Sequence, residues 1–371
     1  MVDLRAISAN VAELSRRAGA AQTMAIVKAD GYGHGLLPSA RAAVGGGADW
    51  LGVAQLGEAI ALRDNGIDVP ILSWLHVPGT DFGSALMRDV DLSASAGWAL
   101  GEIAAAARRT DRVARVHLKV DTGLGRNGAF GPDWPDLVAA ARRLEAQGVL
   151  RVVGLWSHLA YADSPGHPTV RQQGAAFVEA VRIAERAGCR PDVRHLANSA
   201  ATLTSPDTFF DLVRPGIAVY GLSPVPEVGG PADYGLVPAM TLSASAALVK
   251  RLPAGQGVSY GHAYTTACDT TVVLVPVGYA DGVPRSAGNV GPVLIGGTRH
   301  TVSGRVCMDQ FVVDVGPTEV VHEGDEVVLF GTGEDGGPTA EDWARATGTI
   351  SYEIVTRVGV RVPRVYLGEP S

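Results

Sequence analysis

The chain has 371 residues, of which 46% are hydrophobic and 19% charged, and its formal net charge is -7. This length suits two domains with sizeable cores, and an acidic balance without a basic cluster argues against nucleic acid or an anionic membrane surface as a partner. No apolar run reaches the roughly 18 residues that a membrane helix needs, and the charged N-terminus lacks the apolar centre of a signal peptide, so we expect a cytoplasmic protein.

From the start of the chain to about residue 220, apolar strand-like runs alternate with amphipathic helical stretches. Two of these stretches, "LVAAARRLEAQG" and "RQQGAAFVEAVRIAERAG", end in the glycine that commonly stops a helix. The pattern predicts eight strands, at 24–29, 50–55, 70–74, 90–95, 113–120, 151–158, 192–197 and 217–222. Eight strands that alternate with helices over this length favour a (β/α)8 barrel of the TIM type over an open doubly wound sheet.

From about Leu236 the pattern changes to short β-rich runs bounded by Gly, Pro and Asp, such as "TTVVLVPVGYA" and "QFVVDVG". Helical periodicity is scarce there until "TAEDWARATG". The sequence therefore predicts an α/β chain with two domains, a barrel over residues 1–235 and a mostly β domain over residues 236–371.

Only three of the 31 basic residues are lysines: Lys28, Lys119 and Lys250. An amine can lose its proton and react, whereas arginine in practice cannot, so the retained lysines are candidates for chemistry. In a (β/α)8 barrel the active site lies at the C-terminal ends of the strands. Lys28 stands at the end of the first predicted strand and Lys119 near the end of the fifth, while we interpret Lys250 as a solvated residue of the β domain.

Further polar residues fall at the same end of the predicted barrel. They are Arg126 after the fifth strand, His158 at the end of the sixth, Asn198 and Ser199 after the seventh, and "RPGI" (214–217) before the eighth. The last two loops of such barrels commonly hold a phosphate, and Ser199 with the N–H groups of Gly216 and Ile217 offers donors for one. A phosphate site opposite a lysine predicts a phosphorylated aldehyde cofactor, with pyridoxal 5′-phosphate (PLP) as the obvious candidate.

Two other kinds of site are disfavoured. "GLGRNG" (123–128) matches the dinucleotide pattern G-x-G-x-x-G, but no helix opens directly after it and no acidic residue ends the next strand. We therefore disfavour a nicotinamide oxidoreductase. Three scattered cysteines without a CxxC pair, and histidines without HExxH spacing, predict neither disulfides nor a metal site.

Eight segments together resemble the alanine racemase family, in order, from about residue 2 to residue 365. They are "AIVKADGYGHG", "KVDTGLGRNG", "SHLA", "ANSAAT", "RPGIAVYG", "VSYGHAYTT", "VPVGYADG" and "GRVCMDQ". The resemblance implies a PLP-binding barrel followed by a β domain that completes the active site of the partner in a head-to-tail homodimer. It also implies interconversion of L-alanine and D-alanine, with D-alanine supplied to cell-wall peptidoglycan.

The resemblance assigns roles by position. It implies that Lys28 binds the PLP aldehyde covalently and then acts as one of two acid–base groups, the other being Tyr260 from the partner. Around them, the phosphate would be held by Tyr32, Ser199, Gly216 and Ile217. Arg214 would face the pyridine nitrogen, and His158 would link Arg214 to Tyr260. The substrate carboxylate would contact Arg126 and the partner's Met308. Lys119 matches a lysine that is often carbamylated in the family, with a structural ion-pair partner as its alternative role. Tyr279 matches a residue of the substrate channel.

The closest alternative is a barrel-type PLP-dependent amino-acid decarboxylase, which also pairs a barrel with a β domain. Tyr260 and "VCMDQ" favour racemisation over it, and the long β domain argues against a non-catalytic PLP carrier built on the barrel alone. One position departs from the family pattern. Some members carry a tyrosine where this chain has Val360, and this tyrosine contacts phosphate and narrows the pocket, so selectivity for alanine over serine stays open.

Overall fold

The computed structural model describes residues 1–368, and the first part of the chain forms the predicted barrel. In chain order its strands are β1 (Val2–Asp3), β2 (Gln22–Ile26), β3 (Trp50–Val53), β4 (Ile71–Ser73), β5 (Asp91–Ala94), β6 (Ala114–Lys119), β7 (Leu150–Trp156), β8 (Val193–His195) and β9 (Leu212–Val213). Its helices are α1 (Leu4–Ala18), α2 (Lys28–Tyr32), α3 (Leu36–Gly45), α4 (Leu56–Asp64), α5 (Phe82–Leu86), α6 (Gly97–Thr110), α7 (Asp133–Ala146), α8 (Pro168–Arg186) and α9 (Ser199–Thr204).

Strands β2 to β9 form one parallel sheet in the order β8-β7-β6-β5-β4-β3-β2-β9. The two ends of this sheet meet, because the N–H of Asp211 donates to the carbonyl of Arg194 and the N–H of Arg214 donates to that of Ala197, each at 3.0 Å. The sheet is therefore a nearly closed barrel, and the predicted fold class is confirmed.

Helix α1 illustrates why the outer elements form where they do. The Asp3 carboxylate caps it by accepting the N–H groups of Arg5 and Ala6, and Gly19 follows its last turn at a φ of +65° that favours glycine. Its buried apolar side chains recur at helical spacing along one face: Leu4, Ile7, Val11 and Leu14. This face packs inward against the barrel.

The predicted eighth strand at 217–222 is wrong. Residues Ile217–Tyr220 form a turn of 3-10 helix whose four side chains are all buried, and a short buried apolar run has no periodicity that separates strand from helix. The eighth strand is instead the dipeptide Leu212–Val213. Residues 214–217 consequently follow this strand, which places them at the end of the barrel where Lys28 lies.

The second part of the chain is mostly β, as predicted. Its strands are β10 (Leu242–Ser245), β11 (Leu248–Leu252), β12 (Gly257–Val258), β13 (Tyr264–Thr265), β14 (Thr270–Val275), β15 (Pro292–Ile295), β16 (Thr298–Thr301), β17 (Phe311–Gly316), β18 (Glu326–Phe330) and β19 (Tyr366–Leu367), and its helices are α10 (Ala340–Thr347) and α11 (Ser351–Thr356). The main sheets have the orders β10-β18-β15-β16 and β11-β14-β17. Strand β19 pairs in parallel with β1, so the C-terminal segment returns to the start of the barrel.

Within residues 1–368, no helix has the length and apolar character needed to cross a membrane. Over the same range, no group of three or more His, Cys, Asp or Glu side chains could hold a metal ion. The three cysteines are free thiols.

Candidate active site

A cavity of about 370 Å³ opens at the end of the barrel where β2 leads into α2. Its lining includes nine of the predicted site residues: Lys28, Tyr32, Lys119, Arg126, His158, Ser199, Arg214, Gly216 and Ile217. The structure thus brings together side chains from five separate loops. Tyr260 and Met308 of the same chain do not line this cavity.

Lys28 lies two residues beyond β2, in a turn that projects its amine into the cavity. Burial lowers the pKa of this amine, the positive charge of Arg126 lowers it further, and the carboxylate of Glu58 acts in the opposite direction. A lowered pKa increases the fraction of neutral amine, which is the nucleophilic form. The Lys28 amine is 6.0 Å from the centre of the Tyr32 ring.

A cradle of hydroxyl and amide donors lies at one side of the cavity. The Tyr32 hydroxyl lies directly against the Cα of Gly216, where a side chain larger than hydrogen would collide with it. Ser199 Oγ accepts the N–H of Gly216 at 2.7 Å, which leaves the serine's own hydroxyl hydrogen to donate. Burial raises the pKa of Tyr32, so its hydroxyl stays protonated and is also a donor. Such a set suits an anion.

Arg214 supplies a buried positive charge to the cavity. Its guanidinium donates to the carbonyls of Ser157 at 2.8 Å and Leu196 at 3.1 Å, and it contacts His195 Nδ1 at 3.2 Å and His158 Nδ1 at 3.3 Å. Burial lowers the pKa of Arg214 to about 9, so the group remains charged at neutral pH. Four acceptors fix both its position and its orientation.

Because a guanidinium can only donate, Arg214 determines the tautomers of the histidines that it contacts. His195 Nδ1 accepts from it, so the hydrogen of His195 lies on Nε2 and donates to His117 Nδ1 at 2.9 Å. His117 Nε2 then donates to Asp91 at 3.3 Å. A chain of hydrogen bonds therefore runs from the cavity through the barrel interior.

The same reasoning applies to His158, whose Nδ1 accepts from Arg214 and whose hydrogen therefore lies on Nε2. Burial, followed by the charges of Arg214 and Arg126, holds the pKa of His158 well below its usual range. Burial and Arg214 have the same effect on the pKa of His195. Both rings are neutral at physiological pH.

Arg126 is carried by a glycine-rich loop that Asp121 organises. The carboxylate of Asp121 accepts the N–H groups of Gly123, Leu124, Gly125 and Arg126 at 2.9 to 3.2 Å. Partial burial opposes ionisation of Asp121, but these four donors outweigh it and lower the pKa of the carboxyl. The sequence predicted Arg126 but not Asp121, although an aspartate before glycines is the usual signal for such a turn.

Lys119 lies deeper in the cavity, with its amine 3.9 Å from the centre of the Trp156 ring. Burial lowers the pKa of this amine to about 7, assisted by the positive charges of Arg214 and Arg126. A lysine in this environment is partly neutral at physiological pH, as carbamylation requires, because only a neutral amine attacks carbon dioxide.

Tyr260 and Met308, which the resemblance assigns to a partner's site, lie on the C-terminal domain with Tyr279, which it assigns to the substrate channel, and none of the three lines this cavity. Tyr260 is 71% exposed, Met308 53% and Tyr279 43%. Two hydrogen bonds join their segments. The backbone N–H of Tyr279 donates to the carbonyl of Cys307 at 3.0 Å, and the side-chain hydroxyl of Ser259 donates to the carbonyl of Arg305 at 2.7 Å.

Three aromatic residues of the cavity were missed by sequence reasoning. Trp74, Trp156 and Tyr352 all line it, and the ring of Tyr352 lies 6.3 Å from that of Tyr32. No motif distinguishes these aromatic residues from ordinary core residues. Val360, where some members of the resembled family carry a tyrosine, is 97% exposed.

The chain is similar to known proteins in both sequence and fold. The family descriptions "Alanine racemase, N-terminal domain" and "Alanine racemase, C-terminal domain" match residues 2–224 and 239–366. An alanine racemase of Frankia casuarinae is 64% identical over 99% of this chain and 95% of its own length. The solved alanine racemase of Streptomyces coelicolor is 58% identical with a TM-score of 0.98, covering 99% of this chain and 97% of its own. That of a D-cycloserine-producing Streptomyces lavendulae is 56% identical with a TM-score of 0.97, covering 99% and 96%.

Proposed function

The chain belongs to the alanine racemase family, and on this premise we propose how its residues interconvert L-alanine and D-alanine. Racemisation removes a proton from one face of the α-carbon and returns a proton to the opposite face. Two acid–base groups must therefore stand on opposite sides of the substrate. The decarboxylase alternative is not favoured, because the relatives at 55–64% identity are alanine racemases.

The family depends on PLP, and the donor set of the cavity fits this cofactor. The observation that carries the proposal is the gathering of a lysine with a lowered pKa, a buried guanidinium and an anion cradle in one cavity. Tyr32 and Ser199 would donate to the phosphate, together with the backbone N–H groups at Gly216 and Ile217. Arg214 would face the pyridine nitrogen. When bound, PLP stabilises the negative charge that proton removal leaves on the α-carbon.

Lys28 and Tyr260 are the acid–base pair in this proposal. Lys28 reaches the cavity from inside its own barrel, whereas the exposure of Tyr260 suits a residue that enters the cavity of a second subunit. We therefore propose a homodimer in which each site combines one chain's Lys28 with the partner's Tyr260. His158 would hold the tyrosine hydroxyl, because its Nε2–H is not used by Arg214.

The substrate carboxylate would meet two groups. Arg126 lines the same cavity as Lys28, and its loop is fixed by Asp121. The partner's Met308 would add its backbone N–H from the other side. Neither of these carboxylate contacts requires the side chain at position 360. The aromatic residues of the cavity would enclose most of the alanine methyl group.

Lys119 would be carbamylated. A carbamate on Lys119 would place a negative charge beside Arg126. This charge would hold the arginine in place while it stays in contact with the substrate. Mass spectrometry of the intact protein under native conditions should show one added carbon dioxide, which Lys119→Met should abolish. An unmodified wild-type mass in bicarbonate buffer would contradict this role.

Three broader expectations belong to the same proposal. The division into domains at residues 1–235 and 236–371 is supported by family matches that end at residue 224 and resume at residue 239. We also propose a cytoplasmic enzyme that supplies D-alanine for cell-wall peptidoglycan. Cells depleted of the protein should then need external D-alanine to grow.

The decisive experiment reduces the purified protein with borohydride and maps the modified peptide. Among the three lysines, only Lys28 should carry the cofactor, and the exposed Lys250 provides the matched control through Lys250→Ala. In heavy water, L- and D-alanine should each gain deuterium at the α-carbon as they invert. Release of carbon dioxide, or failure of Lys28→Ala to abolish exchange, would contradict the proposal.

A further inference from the structure

The turn that carries Lys28 winds in the left-handed sense. Ala29, Asp30, Gly31 and Tyr32 have φ values of 54°, 54°, 61° and 52°, where three of the four are not glycine. For L-residues this conformation costs roughly 1–2 kcal/mol each, so the surrounding structure must hold the turn in place.

Two side chains of the barrel domain hold the turn, through three hydrogen bonds. The carboxylate of Glu58 accepts the N–H of Ala29 at 2.6 Å, and the Nδ1–H of the buried His34 donates to the carbonyls of Gly31 at 3.1 Å and Tyr32 at 3.0 Å. These contacts fix the beginning and the middle of the turn. Its end, at Gly33, is held from elsewhere.

The C-terminal segment of the chain packs on Gly33. Arg364 donates to the Gly33 carbonyl through both Nε at 3.2 Å and Nη2 at 3.0 Å. Gly33 itself has a φ of +81°, and a Cβ there would collide with the carbonyl of Val355. Arg364 also donates to three carbonyls of its own segment, those of Val358 at 2.6 Å, Gly359 at 2.5 Å and Val362 at 2.8 Å.

We propose that Arg364 is a positioning residue that locks the Lys28 turn to the C-terminal segment and so sets the geometry of the cofactor site. All its donors engage backbone carbonyls, and its planar fork reaches two segments at once, which a lysine ammonium cannot reproduce. Gly33 directly follows Tyr32, whose hydroxyl lies against Gly216 in the cradle. A shift at Gly33 therefore passes to the cradle and to Lys28. This inference rests on the proposed PLP function.

The test compares Arg364→Lys with a matched control, Arg299→Lys. Arg299 also donates to backbone carbonyls, those of Gly336 and Gly337, and pairs with the Asp342 carboxylate. Unlike Gly33, none of its partners adjoins the Lys28 turn. The full-length protein is freed of PLP with hydroxylamine and titrated with PLP. We expect Arg364→Lys to raise the PLP dissociation constant about tenfold, the usual effect of one lost charge-assisted hydrogen bond, and to speed amide exchange over residues 29–36. Arg299→Lys should change neither measurement.

Each outcome bears on a separate claim. The positioning role alone would be overturned if Arg364→Lys kept wild-type PLP affinity and amide exchange rates, or if both variants lost PLP affinity equally. The proposed function would be overturned if the wild-type chain bound no PLP. Should Arg364→Lys fail to fold, the wild-type holoenzyme supplies the test. The amides of Gly35 and Gly359 should then become exposed together in mild denaturant, and independent opening of the two would overturn the inference.

Discussion

The turns that carry the two proposed acid–base residues, Lys28 and Tyr260, differ in how much of their surroundings one chain provides. Lys28 lies in a cavity whose cradle, buried cation and aromatic walls all come from the same chain. Tyr260 is 71% exposed, in a turn on the outside of the C-terminal domain. One chain thus builds the Lys28 side of the proposed site, here called the organised side, but leaves Tyr260 exposed to solvent. In the proposed dimer a second chain would enclose this tyrosine.

Backbone strain is common to both turns. After Lys28, the five consecutive residues from Ala29 to Gly33 have positive φ. Around Tyr260, Ser259 has a φ of 62°, Gly261 of 70° and His262 of 46°. Strained backbone clusters at functional sites because the surroundings fix a particular side-chain direction. The Tyr260 turn is strained although its tyrosine contacts solvent, which is consistent with a side chain aimed at a partner.

The largest predicted effect tests whether the two turns serve one site. Lys28→Ala and Tyr260→Phe should each lower racemisation by about 10²–10⁴-fold or more, as expected for loss of an acid–base group. When the two variants are mixed as dimers, half should be hybrids with one intact site, restoring about a quarter of wild-type activity. Racemase assays on unfolded and refolded mixtures provide the measurement.

The control for this prediction mixes Lys28→Ala with wild-type chains, which should give no activity beyond that of the wild-type barrels present. Absence of rescue in the Lys28→Ala and Tyr260→Phe mixture, with hybrids demonstrated by mass, would place both groups within one chain. The dimer proposal for catalysis would then be wrong.

A second prediction concerns the organised side alone. An arginine facing the pyridine nitrogen cannot give up its proton, so it should leave that nitrogen unprotonated and limit side reactions. Arg214→Glu should therefore raise transamination relative to racemisation, measured as pyruvate formed per inversion. Arg214→Lys keeps the charge and serves as control. An unchanged product ratio in the glutamate variant would count against this role.

A third prediction follows the chain of hydrogen bonds behind Arg214. His195→Leu removes one of the four acceptors that orient the guanidinium, and leaving a charged donor unpaired costs about 1–3 kcal/mol. We expect kcat to fall about tenfold to a hundredfold with a smaller change in KM. His117→Leu, one bond further away, should have less effect. Equal losses in the two variants would indicate general destabilisation instead.

Much of the organised side could be predicted from the sequence, because Lys28, His158 and Ser199 stand at or just after the ends of predicted barrel strands. Its eighth strand could not, because Ile217–Tyr220 have the composition of a buried strand. The supporting contacts of Arg364 were also hidden. An arginine separated from Gly33 by more than 300 residues carries no local pattern, and left-handed backbone at Ala29 contradicts the residue's own preference.

The last prediction, with the smallest effect, compares His34, which follows the Lys28 turn, with His262, which ends the Tyr260 turn. Burial lowers the pKa of His34 to about 4 from an unfolded value near 6.5. Between these values the unfolded chain binds more protons than the folded chain, so the free energy of unfolding should fall as the pH falls, by up to about 1.4 kcal/mol per pH unit. His34→Asn keeps a donor for the turn and should flatten this slope in denaturant titrations between pH 6.5 and 4.5. His262→Asn makes the same substitution in the exposed Tyr260 turn and provides the matched control. Equal slopes for the wild type and His34→Asn would mean that the ring of His34 is less enclosed than its burial in the structure implies.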